Sequence, residues 1–279
     1  MTEAVQASRR ALRRARAAID VFAADECAFL AGAVAYQFFF AIVPLLALAI
    51  GVLGFVYGAD RASRELAGLL REVYPIVGGE EMTIVRQLAE GRAVSLGFGL
   101  LGTLFSVTAI HGSLDAAIAS VLGRKGERNF VRGKLEALAF AGGLLLLAIL
   151  SFTISYGVQA LQEPLAAAGM DERPRLALQL VSPLVGALPA FAFFYAIYRF
   201  VPRVAVGERA ARIGALVATV LWEGAKVGFG FYTRALSAFT AYGTLAFVAG
   251  LLTWIYLTAV IILVGAEVVK SARRSSSAR

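Results

Sequence analysis

Apolar positions run along this chain in blocks too long for the core of a soluble domain. Cys27–Ala59 carries no charge for 33 residues, Ala137–Gln162 none, and Ala235–Ala266 none for 32. A helix needs about 20 residues to cross the hydrocarbon of a bilayer, so each block holds a membrane span. Apolar runs between clusters of charge add three more. The pattern predicts six spans, at about 29–57, 94–122, 137–161, 176–199, 212–233 and 244–269. The expected fold class is all-α, a polytopic integral membrane protein with a single six-helix domain over 29–270. A basic leader (1–28) precedes it, and a Ser-rich tail (271–279), expected to be disordered, follows.

Charge sets the orientation. In the leader Arg9, Arg10, Arg13, Arg14 and Arg16 alternate with Leu12, Ala15, Ile19 and Phe22 at helical spacing. That is the pattern of a helix lying on an anionic membrane surface, or of a solvated tail that only orients the chain. GRKGERNFVRGK, after the second span, packs five Lys and Arg into twelve residues. With six spans, eighteen Lys and Arg fall on the side of both termini and eight on the other. Cationic loops stay in the cytoplasm, so both termini are expected inside.

Two charges break the apolar pattern. Glu223 and Lys226 lie in the fifth span, with Glu223 near mid-depth and Lys226 three residues on, close enough to pair. Thr219, Glu223, Lys226, Gly230 and Thr233 line up on one face of a helix. An unpaired charge at the midplane costs between ~3 and over 10 kcal/mol, so this stripe is expected to face protein or water rather than lipid. Two readings stand side by side: a polar site for a substrate head group or protons, and an ion pair locking helices together. Gly224 and Gly228 form a separate GxxxG-type face suited to close helix contact. Pro44 in the first span predicts a kink or a break, with Gln37 seven residues earlier on a similar face.

Further polar candidates lie elsewhere. Asp115 follows Thr108 and His111 on one face of the second span, where a local hydrogen bond or a basic loop residue would satisfy it. Glu267, placed by the pattern in the last turn of the sixth span, can pair with Lys270. Ser237–Thr244 can be a loop or a re-entrant segment.

Composition excludes several classes. The chain is 59% hydrophobic and 16% charged, with mean hydropathy +0.74 and net charge +8. The positive charge sits beside apolar spans, so nucleic acid is not the expected partner. One cysteine, Cys27, precludes an intramolecular disulfide and any multi-thiolate metal site, and one histidine, His111, precludes a multi-histidine centre. No Walker motif is present, and no cofactor or metal is expected.

Several short strings, taken in order, carry a resemblance. The first span reads AGAVAYQFFFAIVPL, with Ala31, Gly32, Ala35, Tyr36, Val43, Pro44 and Leu45. The second contains SLDAA, with Ser113, Asp115 and Ala117. The fifth has E-x-x-K-x-G-F-x-x-Y over Glu223, Lys226, Gly228, Phe229 and Tyr232. YGTLA, W-x-Y and LVGAE follow, from Tyr242 through Trp254 and Tyr256 to Glu267. From about Leu30 to Val269 the chain resembles the YihY/BrkB family of bacterial inner-membrane proteins. Ala119 and Leu122 stand where the family's pattern has Asn and Trp, and His111 has no counterpart in it.

That resemblance implies a six-helix protein of the bacterial inner membrane. The family has carried a ribonuclease label and a link to serum resistance. A metal-dependent nuclease needs clustered His and carboxylates, and this chain lacks them, so no enzymatic activity is expected. The expected role is transport of a lipid or other amphipathic envelope molecule. Lys226 would meet an anionic head group and Glu223 would orient it, with Asp115 and Glu267 at the cytoplasmic mouth. Gln37, Tyr36 and Tyr232 complete the candidate set. The alternative is a scaffold for envelope proteins in which the same charges are structural.

Overall fold

The computed structural model describes residues 26–58, 91–123, 133–143, 146, 187–202, 204–237 and 243–277. Among these residues there is no strand. Helix α1 spans Cys27–Tyr57, α2 Arg92–Val121, α3 133–143, α4 Ala187–Phe200, α5 Glu208–Ser237 and α6 Gly243–Ser277. Four of them, α1, α2, α5 and α6, are long and apolar enough to cross a membrane. Most of the third predicted span and the first half of the fourth lie outside the described residues, which hold only α3 and the short apolar α4 there.

Turn chemistry ends the first two helices. Gly58 and Gly123 have φ of 78° and 68°, the left-handed conformation that stops a helix and that glycine adopts without a Cβ clash. Pro44 does not break α1, which continues unbroken through it. Hydroxyls inside the helices bond back to their own backbone, as apolar surroundings require: Thr108 Oγ1 donates to Leu104 O and Thr253 Oγ1 to Ala249 O. Helix α6 runs on to Ser277, so the helix covers most of the predicted disordered tail. Ala272, Arg273 and Arg274 are good helix formers and extend it without a Gly or Pro to stop it.

The chain divides into two compact units. The first holds Met1–Gly32, Leu114–Gly228 and Leu257–Arg279, and the second holds Ala33–Ser113 and Phe229–Tyr256. Helices α1, α2, α5 and α6 each contribute one part to each unit.

The first unit has the denser core. Phe194, Ile197 and Tyr198 of α4 are buried with Ala211, Ala215 and Ala218 of α5 and with Ile262, Leu263, Ala266 and Val269 of α6. Small residues let α5 and α6 approach closely: a Cβ on Gly214 would lie 2.9 Å from the carbonyl oxygen of Gly265. Tyr198 fills the groove between them, and its hydroxyl donates to Ile262 O at 2.9 Å. Arg199 Nη1 donates to Val206 O at 3.2 Å, closing the turn from α4 to α5.

In the second unit α1 and α2 run antiparallel, backbone against backbone. A Cβ on Gly51 would lie 2.7 Å from Leu96 N, one on Gly99 would collide with Leu48 N, and one on Gly102 would lie 2.6 Å from the Pro44 Cβ. Pro44 is thus a packing residue at this crossing. The expected Gly224 and Gly228 face is different: among the described residues, no heavy atom lies within 4 Å of a Cβ built on either. The close helix contacts are made instead by Gly51, Gly99, Gly102, Gly214 and Gly265. Composition alone does not separate these from the chain's other glycines.

Candidate functional site

Helix α5 changes character along its length. Its first half is packed: Ala210, Ala211, Ala215, Ala218 and Thr219 are buried, with the Thr219 hydroxyl donating to Ala215 O at 2.8 Å. From Val220 onward full burial ends: Val220, Leu221, Val227 and Phe231 are exposed, while Trp222 still meets Phe194 of α4. Glu223, the sixteenth of the thirty residues of α5, lies where the packing ends.

Lys226 Nζ sits 2.7 Å from Glu223 Oε2, an ion pair one helical turn long. The side chains are 45% and 34% exposed, for Lys226 and Glu223 respectively. Glu223 Oε1 is itself buried and has no hydrogen-bond partner among the described residues. Both partners belong to α5, so this bond joins no two helices. On the exposed side Leu216, Val220 and Val227 recur with Glu223 at i, i+4, i+11 and i+7, which sets the carboxylate in an apolar ridge.

The second acid–base pair differs. Lys270 Nζ lies 3.4 Å from Glu267 Oε1, and both side chains are only 15% exposed. Glu267 was expected in the last turn of the sixth span, and α6 continues beyond it. It lies ten residues before Ser277, flanked by the buried Ala266 and Val269. Asp115 belongs to the same unit, on α2 beside the buried Leu114, Ala117 and Ile118.

Tyr36, Gln37 and Tyr232 belong to the second unit. Tyr36 is exposed and lies against Phe40, with ring centroids 4.5 Å apart. Tyr232 follows Glu223 by nine residues, which at about 100° per residue puts it on the opposite face of α5. It packs beside Phe229, 5.5 Å away, which in turn meets Trp254 at 4.7 Å. The structure therefore brings together Glu223 and Lys226, and separately Glu267 and Lys270. It assigns Tyr232 to an aromatic cluster. Among the described residues, no three of His, Cys, Asp and Glu come together as a metal site requires.

A family model described as "Virulence factor BrkB" matches residues 18–279, nearly the whole chain. The chain belongs to the BrkB family. It is 30% identical over 267 residues to a UPF0761 membrane protein of Alkalilimnicola ehrlichii, covering 92% of this chain and 58% of that one. A UPF0761 membrane protein of Azotobacter vinelandii is 31% identical over 257 residues, covering 89% and 60%. One of Aliivibrio salmonicida is 28% identical over 260 residues, covering 88% and 79%. The chain thus spans about three fifths of the length of the first two relatives. No solved structure matches.

In this member of the BrkB family the motif residues do different work. Pro44 packs at the α1–α2 crossing and Trp254 against Phe229. Ser113 Oγ donates to Ile110 O, a bond within its own helix. Glu223 and Lys226 make a pair that remains open to their surroundings.

Proposed function

We propose that this membrane protein of the BrkB family moves a lipid or other amphipathic envelope molecule across the bacterial inner membrane, and that Glu223 and Lys226 receive its head group. One observation carries the reading. A charged pair stands at the centre of a span, outside the packed core, with a carboxylate oxygen left over. Charges at that depth are expensive in hydrocarbon, so their surroundings must be polar whenever they are ionised. A head group satisfies that need, and the ridge of Leu216, Val220 and Val227 beside it suits acyl chains. The bias of Lys and Arg supports an orientation with both termini in the cytoplasm. In that frame Asp115 and Glu267 stand toward the cytoplasmic end, and Tyr36 and Gln37 on α1 are further lining candidates.

A scaffold role with envelope-protein partners is supported by another feature. The Glu267–Lys270 pair is largely buried, and charges held within the packed part of α6 suit a structural role better than a substrate site. The test is lipid movement between leaflets in liposomes carrying the purified protein. Wild type is expected to move lipids, and Glu223→Gln and Lys226→Met to slow the movement while staying folded. A folded protein that moves no lipid favours the scaffold.

A further inference from the structure

We propose that the head group taken at Glu223 and Lys226 is zwitterionic, a phosphate linked to a primary ammonium as in phosphoethanolamine. The phosphate would lie on Lys226 and the ammonium on Glu223. This rests on the transport reading above and narrows it to one class of substrate.

The argument starts from what the pair leaves unused. An ammonium carries three donors, and Lys226 uses one of them toward Glu223 Oε2. The remaining donors suit the oxygens of a phosphate. An ionised carboxylate accepts on both oxygens, and Glu223 Oε1 has no hydrogen-bond partner among the described residues; that oxygen is buried, so the part-exposed side chain turns to present it to a ligand. That oxygen needs a donor, and a phosphate diester has none to offer. A primary ammonium has three.

Net charge gives the same answer. Glu223 and Lys226 together are neutral, so a neutral zwitterion adds no net charge at mid-depth. A purely anionic head group would place a second negative charge beside Glu223, with like-charge repulsion and an uncompensated ion in a low dielectric. A purely cationic ligand would do the same beside Lys226. Of the three classes, only the zwitterion satisfies both side chains while keeping the site neutral.

The experiment compares acyl-labelled phosphatidylethanolamine with acyl-labelled phosphatidylglycerol in liposomes carrying the full chain. Wild type is expected to move the zwitterionic lipid roughly tenfold faster or more, the worth of one charge-assisted hydrogen bond. Glu223→Gln should erase the preference, Glu223→Asp should keep it, and Lys226→Met should slow both lipids. Equal rates for the two lipids, or a preference unchanged in Glu223→Gln, would overturn the proposal and leave the transport reading standing. Movement of neither lipid, with loaded glycerophosphoethanolamine also retained, would overturn both. Soluble glycerophosphoethanolamine is expected to compete with lipid movement and glycerophosphoglycerol is not; equal competition would overturn the proposal. Release of loaded glycerophosphoethanolamine without lipid movement would keep the head-group chemistry and overturn the lipid as its source.

Discussion

Tyr198 and Gly265 fit together only because Gly265 has no side chain: a Cβ there would collide with the Tyr198 hydroxyl oxygen and lie 3.2 Å from the Ala218 Cβ. The hydroxyl uses that space to reach Ile262 O at 2.9 Å, which ties α4 to α6 in the core of the first unit. Gly265→Ala is therefore expected to destabilise the protein by about 1–3 kcal/mol, the usual cost of overpacking a filled core. Tyr198→Phe loses one hydrogen bond and should cost about 1 kcal/mol. Combined, they should be less destabilising than the sum of the two, because the second change makes room for the first. Thermal unfolding in detergent measures all three, and strict additivity would contradict the shared space.

Two glycines two residues apart on α2 should behave in opposite ways. A Cβ on Gly99 runs into the backbone of Leu48, whereas nothing lies within 4 Å of one on Gly97. Gly99→Val is expected to abolish folding or yield, since backbone cannot move aside as a side-chain tip can. Gly97→Val should fold like wild type. Monodispersity on size exclusion distinguishes them, and equal yields would argue against the α1–α2 crossing.

The two acid–base pairs should separate by stability. Removing both partners, Glu223→Ala with Lys226→Met, takes away a half-exposed pair without stranding either charge and is expected to cost no more than about 1 kcal/mol. Glu267→Ala strands Lys270 at 15% exposure and should cost about 3–5 kcal/mol. A charge-swapped Glu223→Lys/Lys226→Glu protein should fold with near-native stability, since the i, i+3 contact survives reversal, yet lose lipid movement. Swapped protein that transports normally would remove the head-group role.

Orientation can be read with reporter fusions. A phosphatase fused after residue 125, in the basic segment that follows α2, is expected to be inactive and a fluorescent protein there to glow, with the reverse pattern at residue 75. Phosphatase activity at 125 would reverse the proposed topology.

Long apolar blocks announced membrane helices because hydrocarbon tolerates almost nothing else, and four of the six predicted spans coincide with described helices long and apolar enough to cross a membrane. Glu223 and Lys226 were legible for the same reason, as charges where charges are expensive. Short strings in order along the chain were enough to suggest the family to which it belongs. Faces were not legible. In a soluble helix the polar side reveals which stripe is packed, but in a membrane helix lipid-facing and protein-facing positions are both apolar. The sequence therefore offered Gly224 and Gly228 as a contact face as readily as Gly214 and Gly265, and packing chose the latter pair. It also placed Tyr232 with Glu223 through motif order, although the helix turns them to opposite sides. The ranking of the two ion pairs was hidden too. Mid-depth position left open whether Glu223 would face protein or water, because burial depends on which neighbours close around a side chain. Packing leaves the span-six pair only 15% exposed, whereas beside Glu223 it continues only through Trp222, which meets Phe194 of α4.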